Sequence, residues 1–268
     1  MRFTPFFLLS VVWAGSAFAQ ASSQSQCHGT QACVLGDRSY HVLEPDGWDG
    51  QSPIPVLLHF HGWQRQGDLV VNHQRIAAAT KRRGVLLVAP NGNRKTWDFW
   101  RAGRPDVPFA AAVLEEVKSR YPIDDERIFV SGYSYGSAMA WRYVCENGDG
   151  VAALLAIAGT LSQSETCDQA PEEVRHVHGT ADTVMNFPMG PGGDTTYPVA
   201  LWRDAFGCAT GSDLGSWQAR EWLTFDRQQW TCETGQVTLD LHPGGHFIPH
   251  GWIARQLDEL LGLPFSYP

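Results

Sequence analysis

Three short motifs carry the side chains that nucleophilic catalysis at an acyl group requires. Residues 132–136 read Gly-Tyr-Ser-Tyr-Gly, so Ser134 stands between two glycines. Asp182 ends the motif His-Gly-Thr-Ala-Asp, and His246 ends the motif Gly-Gly-His. A serine hydroxyl is a weak nucleophile at neutral pH and needs a base to take its proton. The imidazole of His246 would be that base, and the Asp182 carboxylate would orient the ring and stabilise its protonated form.

For these side chains to meet, the chain must place them on neighbouring elements, and its pattern predicts an α/β fold. The predicted strands cover residues 39–43, 56–60, 84–89, 127–131, 152–158, 174–178 and 237–241. The predicted helices cover residues 106–120, 136–145, 197–206 and 251–261. Several strands are almost continuously apolar, which is typical of strands buried on both faces. We therefore predict a mostly parallel open sheet with helices on both faces.

The three motifs lie where such a sheet would bring them together. Ser134 follows the strand at 127–131 and opens the helix at 136–145, which is the strand–turn–helix context of a nucleophile elbow. Asp182 and His246 each follow a later strand. All three therefore stand at carboxyl ends of strands, where open α/β sheets place their sites. The chain order serine, acid, histidine is also the order found in the α/β-hydrolase fold.

Other residues compete for the acid and base roles. Asp194 or Asp204 could serve as the acid, since both follow the same predicted strand as the first candidate. His242 or His250 could serve as the base, since both lie within four residues of the first candidate. His178 ends a predicted strand, and there we expect a histidine that is satisfied by its neighbours rather than a catalyst.

A fourth motif predicts an oxyanion hole. Residues 59–63 read His-Phe-His-Gly-Trp at the end of the second predicted strand. We expect the backbone N–H of Trp63 to be one donor and the N–H of Tyr135, the residue after the nucleophile, to be the other. Such donors stabilise charge that appears only in the tetrahedral intermediate, and the loss of one typically costs about 2.7–4 kcal/mol in the barrier.

Aromatic residues near these motifs are candidates for substrate binding. The segment 91–105 has no predicted helix or strand and carries Trp97 and Trp100. It follows a predicted strand, so we expect it to overhang the site, and we also assign His61 to substrate binding. Packing against the protein body explains these tryptophans equally well. A second long loop is predicted at 207–235.

The amino terminus predicts export. Arg2 supplies a positive charge, residues 6–12 form a short apolar core, and Ala-Phe-Ala at 17–19 is a small-x-small cleavage site. We predict a signal peptide at 1–19 and a single domain at 20–268, located in the periplasm or outside the cell. No apolar run is long enough to span a membrane. The formal net charge of −8 and the lack of a basic block disfavour nucleic acid and anionic membranes as partners.

Six cysteines follow the predicted cleavage site, which suggests up to three disulfides in an exported protein. Several pairings are compatible with the sequence. The simplest joins nearest neighbours, namely Cys27 with Cys33, Cys145 with Cys167, and Cys208 with Cys232. A zinc site or free thiols are the alternative, but no Cys-x-x-Cys pair occurs, which weakens the zinc interpretation.

Together these residues resemble the polyhydroxybutyrate depolymerase-like esterase family, which is related to secreted feruloyl and acetylxylan esterases. The resemblance covers roughly residues 36–256 and rests on the order and spacing of several short segments. These are residues 61–62, 106–109, 127–136, 178–182 and 244–246, together with Trp202 and Cys208. The resemblance implies an α/β-hydrolase fold, an ester substrate and the triad of Ser134, Asp182 and His246. It also favours the disulfides 145–167 and 208–232.

The resemblance predicts a serine ester hydrolase that cleaves hydroxyalkanoate oligomers or polymers through an acyl-enzyme, with no metal or cofactor. The alternative is a feruloyl or acetylxylan esterase that acts on plant cell-wall polysaccharide. Two departures from the family pattern lie beside the expected pocket. Trp63 stands where such proteins often carry cysteine, and Phe-Ile-Pro at 247–249 stands where they often carry Trp-Pro. Both departures bear on the substrate rather than on the reaction.

Two other classes of function fit parts of the sequence. His59 and His61 would point two imidazoles to one face of a strand, as in a metallohydrolase. His242, His246 and His250 recur at every fourth residue, but the prolines and glycines among them disfavour a helix. Eleven tryptophans would suit a non-catalytic carbohydrate- or polymer-binding protein, although core packing explains most of them.

Overall fold

The structure is a computed structural model that describes residues 27–101 and 103–267, together with Met1. The predicted signal peptide at 1–19, apart from its first residue, lies outside the described residues. Within the described part of the chain, no helix is both long enough and apolar enough to cross a membrane. The described residues include every motif on which the prediction of function depends.

The described residues form a fold organised around a ten-stranded sheet. Its strands are β1 (Cys33–Leu35), β2 (Arg38–Leu43), β3 (Ile54–Phe60), β4 (Leu86–Pro90), β5 (Ile123–Tyr133), β6 (Ala153–Ile157), β7 (Glu173–Gly179), β8 (Ser212–Arg220), β9 (Leu223–Thr231) and β10 (Gln236–His242). They are arranged in the order β1-β2-β4-β3-β5-β6-β7-β10-β9-β8. The central strands from β4 to β10 in this order run parallel, and antiparallel pairs form both edges. This is the mostly parallel sheet that the sequence predicts.

Helices cover both faces of the sheet, as predicted. They are α1 (Gly67–Val71), α2 (Ala77–Lys81), α3 (Asp106–Arg120), α4 (Tyr135–Asn147), α5 (Ala200–Ala205) and α6 (Trp252–Leu261). Alternate strand residues face opposite sides, so Leu58 and Val130 pack with α3, α4 and α5, whereas Leu57 and Phe129 pack with α1, α2 and α6. The buried centre of the sheet gives the site a rigid base, because both of its faces are filled with apolar side chains.

Each strand and helix predicted from the sequence overlaps an observed one, but the predicted loop at 207–235 is wrong. Most of this segment is a hairpin of β8 and β9 that extends the sheet beyond β10. In β9, Leu223 and Phe225 are buried in the core. Most of β8 is exposed and polar, which is typical of an edge strand and hides its pattern from sequence analysis.

The three disulfides join the nearest-neighbour pairs. They are Cys27–Cys33, Cys145–Cys167 and Cys208–Cys232. The second connects the last turn of α4 to the segment between β6 and β7, and the third connects the turn after α5 to the end of β9. A cross-link that closes a loop of this size typically adds about 3 kcal/mol to stability. The pairing predicted from the sequence is confirmed.

Candidate active site

Ser134 stands at a sharp turn between β5 and α4. Its backbone has φ 58° and ψ −123°, a conformation that non-glycine residues rarely adopt and that is found at strained functional positions. Its N–H donates to the carbonyl of Ile157 on neighbouring β6, at 2.8 Å. The turn therefore holds the serine at the carboxyl edge of the sheet, where α4 begins.

The glycines on either side of this turn are required by close packing. A Cβ at Gly136 would lie 2.2 Å from the carbonyl oxygen of Phe60 and 2.3 Å from that of His61. A Cβ at Gly132 would lie 2.1 Å from the carbonyl oxygen of Gly136. No side chain fits at either position without a backbone shift. The two glycines thus allow the end of β3 to approach the start of α4.

The structure brings Ser134, His246 and Asp182 together. The Nε2 of His246 lies 2.8 Å from the Ser134 hydroxyl, and its Nδ1 lies 2.7 Å from an Asp182 carboxylate oxygen. The histidine follows β10 and the aspartate follows β7, so three separate strand ends contribute to one cluster. In this order the imidazole can take the hydroxyl proton, while the carboxylate orients the ring and stabilises its protonated form.

Asp182 is held as a carboxylate. Its second oxygen accepts the backbone N–H groups of Val184 at 2.8 Å and Met185 at 3.0 Å. Burial raises the pKa of this carboxyl, but the hydrogen bonds from His246 and from the two backbone groups outweigh it and keep the pKa below its usual value. The group is therefore ionised at neutral pH and can stabilise a protonated imidazole.

The competing acids and bases lie elsewhere among the described residues. Asp194 accepts hydrogen bonds from Thr196, and Asp204 accepts one from a glutamine side chain. His242 is buried, its Nδ1 accepts the N–H of Gly244, and burial lowers its pKa to about 4. His250 packs against the ring of an exposed tryptophan. Among the described residues, the side-chain partner of the Ser134 hydroxyl is His246 and none of these four.

His178 contacts the acid, which sequence analysis missed. Its Nε2 lies 3.3 Å from the Asp182 carboxylate oxygen that faces His246, and its Nδ1 lies 3.2 Å from the Nε2 of His176. Burial lowers the pKa of His178 to about 4 although Asp182 opposes the shift. A neutral, buried histidine behind the acid agrees with the structural role that we predicted. In the sequence, the spacing of four residues between His178 and Asp182 could have indicated this contact.

The predicted oxyanion donors lie on two segments that pack together. Trp63 follows the end of β3, and the close approach at Gly136 sets that end beside the first residue of α4, Tyr135. The first N–H of a helix has no acceptor within the helix. Among the described residues, neither the Trp63 N–H nor the Tyr135 N–H has a hydrogen-bond partner. Both groups are thus available to a ligand.

Two of the predicted substrate-binding residues are buried, and one of them, His61, lines the cleft described below. Trp97 has no exposed surface, and its Nε1 donates to the carbonyl of His61 at 2.7 Å. His61 is 1% exposed and accepts the N–H of Gly92 at its Nε2, at 2.9 Å. Burial lowers the pKa of His61 to about 4, so its ring is neutral. Trp97 is too buried to reach a substrate, and its hydrogen bond helps to hold residues 59–63, here called the oxyanion segment, in place.

Trp100, the third predicted substrate-binding residue, lies on the surface. It is 57% exposed, and its ring centroid lies 5.5 Å from that of Tyr135, the residue after Ser134. Phe99 contacts both rings. Trp63 is 65% exposed on the oxyanion segment. Phe99 and Trp100 thus form an aromatic surface beside Tyr135, the residue that follows Ser134.

A cleft of about 660 Å³ lies beside the histidine of the cluster. Its walls include Gly62 of the oxyanion segment, Tyr133, and Phe247, the residue after His246. The hydroxyl of Tyr133 donates to the carbonyl of His246 at 3.1 Å. The cleft is therefore formed by the same segments that carry the reactive groups. No group of three or more potential metal ligands occurs among the residues that the structure describes.

Known proteins resemble this chain in sequence. The bifunctional acetylxylan esterase/xylanase of Neocallimastix patriciarum is 27% identical over 178 residues, covering 66% of this chain and 25% of that protein. A probable feruloyl esterase C of Aspergillus niger is 25% identical over 163 residues, covering 58% of this chain and 59% of that protein. The chain thus spans less than two thirds of either relative. No family model matches it.

Solved structures are similar over more of the chain. The acetyl xylan esterase from Aspergillus awamori has a TM-score of 0.62 at 13% identity, and the match covers 86% of this chain and 95% of that one. This chain has the α/β-hydrolase fold. Within the α/β-hydrolase fold, nucleophile, acid and histidine follow one another in the chain order observed for Ser134, Asp182 and His246. The predicted fold class is confirmed.

The relatives bear on the family resemblance as well. They are acetylxylan and feruloyl esterases. The polyhydroxybutyrate depolymerase-like family, which this sequence resembles, is related to such esterases. None of these three proteins is named as a polyhydroxybutyrate depolymerase. The alternative substrate class predicted from the sequence is thus better supported than the first one.

Proposed function

We propose that the chain is a serine carboxylic-ester hydrolase that removes acyl groups from plant cell-wall polysaccharide, as a feruloyl or acetylxylan esterase. The observation that carries the proposal is the pair of contacts at His246, 2.8 Å to the Ser134 hydroxyl and 2.7 Å to the Asp182 carboxylate. In this arrangement the imidazole can take the serine proton, which activates the hydroxyl for attack on an acyl group. The names of the sequence relatives support the choice of ester.

In the proposed mechanism, the Oγ of Ser134 attacks the ester carbonyl carbon while Nε2 of His246 takes the hydroxyl proton. Asp182 stabilises the imidazolium that forms. The tetrahedral intermediate collapses to an acyl-enzyme as His246 returns the proton to the leaving alcohol. A water molecule, deprotonated by the same imidazole, then attacks the acyl carbon. The second tetrahedral intermediate collapses as His246 returns this proton to the Ser134 oxygen, which releases the acid and restores the serine hydroxyl. No step requires a metal or a cofactor.

The oxyanion of each tetrahedral intermediate accepts hydrogen bonds from the N–H groups of Trp63 and Tyr135 in this proposal. Both are backbone donors, so their positions depend on the packing of β3 against α4 rather than on side chains. Donors that are already in place need no reorganisation when the charge develops. The proposed enzyme works outside the cytoplasm after removal of residues 1–19, as one domain at 20–268. Three disulfides fit such an oxidising compartment.

A hydrolysis panel tests the proposed function. The substrates are methyl ferulate, acetylated xylan and 3-hydroxybutyrate oligomers, with the Ser134→Ala variant as the blank. We expect kcat/KM to be higher for one of the first two substrates than for the oligomers. We also expect a serine-directed phosphonate to abolish activity and a chelator to leave it unchanged.

The remaining outcomes of the panel identify the rival functions. Fastest turnover of the hydroxybutyrate oligomers would mean that the first substrate class predicted from the sequence is correct. Loss of activity with a chelator would indicate a metallohydrolase. Binding of polysaccharide without turnover of any ester, including simple aryl esters, would indicate a non-catalytic binding protein.

The exposed ring of Trp100 should influence which acyl group is preferred. We expect Trp100→Ala to change the ratio of kcat/KM for methyl ferulate to that for an aryl acetate several-fold, because a ferulate ring can pack on the aromatic surface and an acetyl group cannot. The melting temperature should stay close to that of the wild type, since the side chain is 57% exposed.

Trp97→Ala is the matched control for this prediction. Its side chain is fully buried, so the variant should lose about 3–5 kcal/mol of stability, with a corresponding fall in melting temperature. If Trp100→Ala instead lowers the melting temperature strongly and leaves the substrate ratio unchanged, Trp100 is a packing residue and not part of the substrate site.

A further inference from the structure

The cleft beside His246 carries positive charge that the proposed mechanism does not use. Arg65 and Arg75 both line it, and its described lining residues include no aspartate or glutamate. Among the residues that the structure describes, neither guanidinium lies within 4.0 Å of a carboxylate. By contrast, Arg83 on the same face of the sheet forms a buried pair with Asp258 at 2.6 Å.

Arg75 is held in a defined position at the cleft. Its guanidinium donates to the carbonyl of Ile248, two residues after the proposed base, and lies 5.9 Å from the ring centroid of Phe247. Partial burial lowers the pKa of Arg75, which is the response of a cation that has lost water without gaining a negative partner. A guanidinium in this state binds an incoming anion more strongly than a fully hydrated one does.

The pKa values of His73 and His250, which also line the cleft, are lowered in part by the same arginine charges. Burial lowers the pKa of His73, and the charges of Arg75, His250 and Arg65 lower it further. The pKa of His250 is lowered by burial and then by Arg75. Both rings are therefore mostly neutral at neutral pH, and each retains an N–H that can donate to an anion. Two carboxylates outside the lining act on residues of the cleft, Asp68 on His61 and Asp182 on Tyr133.

The rest of the lining suits an organic group rather than a free inorganic ion. Leu69, Val70, Ile76, Phe247 and Ile248 provide apolar surface in the same cleft. A space of about 660 Å³ exceeds what a small inorganic anion occupies and fits a sugar residue or a substituted acyl group. Guanidinium groups bind carboxylates through two parallel hydrogen bonds, which fix orientation as well as charge.

We infer that this cleft is a subsite for a carboxylate-bearing part of the substrate, recognised by Arg65 and Arg75. The inference rests on the proposed ester hydrolase function and specifies its substrate. The carboxylate could belong to the acyl group, as in a dicarboxylic half-ester, or to an acidic sugar next to the acylated one. Both would place the same negative charge in the cleft while the ester carbonyl lies at Ser134.

Paired substrates that differ only in charge test the subsite. The acyl pair is 4-nitrophenyl hydrogen glutarate and its terminal carboxamide. The sugar pair is an acetylated xylo-oligosaccharide with a glucuronic acid branch and the same oligosaccharide with that carboxyl reduced to an alcohol. We expect the charged member of one pair to have a kcat/KM about 10-fold higher than its neutral partner, as a charged hydrogen bond at a partly exposed site would give.

Arginine variants connect this preference to the cleft. Arg65→Gln should remove most of the charge preference, mainly by raising KM for the charged member of the pair. Arg75→Gln should remove it as well, but loss of the contact with Ile248 can also slow the neutral substrates, so the charged-to-neutral ratio is the readout. Arg127→Gln is the matched control, because Arg127 pairs with Asp124 in the early part of β5, away from the carboxyl edge.

Each remaining outcome overturns one of the two proposals. Equal rates for both members of both pairs, or equal losses on charged and neutral substrates in Arg65→Gln, would mean that the cleft does not recognise a carboxylate. Calorimetric titration of the Ser134→Ala variant with the same compounds measures binding without turnover. If the wild-type protein hydrolyses no ester and the variant still binds a charged member more tightly than its neutral partner, the subsite is retained and the proposed function is overturned.

Discussion

Ser134→Ala should lower kcat by about 10⁶-fold on any ester that the wild-type protein hydrolyses. The 2.8 Å contact with His246 shows that the hydroxyl is the group positioned to lose a proton to the imidazole. Alanine removes the only atom of this side chain that can attack a carbonyl, while the oxyanion donors Trp63 and Tyr135 remain because they are backbone groups. Residual activity should then reflect binding and oxyanion stabilisation alone. Steady-state kinetics with an aryl acetate measures the loss.

The matched control is Ser137→Ala, one turn further along α4. The Ser137 hydroxyl is buried and donates to the carbonyl of Gly159 at 2.7 Å, so its loss should cost about 1 kcal/mol of stability and leave the nucleophile in place. Circular dichroism should show that both variants are folded. A folded Ser134→Ala protein with near wild-type turnover would contradict the assigned nucleophile, and so would phosphonate labelling at any other serine.

The convergence of this cluster could be predicted from the sequence because every reactive residue follows the end of a predicted strand within a few residues. Parallel strands bring their carboxyl ends to one edge, so the chain order of Ser134, Asp182 and His246 was enough to predict their contact. The choice between Asp182 and its rivals Asp194 and Asp204 was not decided by that argument. It depends on the turn after β7, where the backbone N–H groups of two following residues bind the carboxylate.

Other features depended on contacts between segments that are distant in the sequence. Trp97 and Trp100 are three residues apart in one loop, yet one is fully buried and the other is 57% exposed. What distinguishes them is that Trp97 packs against the rings of Phe60 and His61 and donates its N–H to the His61 carbonyl. The hairpin of β8 and β9 was missed because an edge strand needs no apolar pattern of its own when its neighbour supplies the buried side chains. The arginine-lined cleft likewise joins segments that lie far apart along the chain.

Asp182→Asn should lower kcat by about 10⁴-fold with little change in the fold. The effect follows from which end of the new amide faces the histidine. In the wild type, one carboxylate oxygen accepts the N–H groups of Val184 and Met185, and the other accepts the Nδ1–H of His246. The two backbone donors require an acceptor, so they hold the amide oxygen and turn the amide NH₂ group toward His246.

An NH₂ group at that position reverses the tautomer of His246. Its Nδ1 becomes a hydrogen-bond acceptor, so the ring proton moves to Nε2 and points at Ser134. An imidazole that already carries a proton on Nε2 cannot take one from the serine hydroxyl. The variant also loses the negative charge that stabilises the imidazolium. His178, which lies 3.3 Å from this position, cannot replace that negative charge, because an imidazole is either neutral or positive.

Asp194→Asn and Asp204→Asn are the matched controls, since each makes the same chemical change on an acid that lies outside the cluster. Both should keep turnover within about twofold of the wild type, because surface changes away from a site have small effects. A greater loss in either control than in Asp182→Asn would assign the acid role to that residue. A small loss in Asp182→Asn, with a folded protein and an intact Ser134 dependence, would mean that the orientation of His246 comes from elsewhere. Tyr133 would then be the next residue to test, because its hydroxyl donates to the His246 carbonyl at 3.1 Å and its ring centroid lies 5.0 Å from the imidazole centroid.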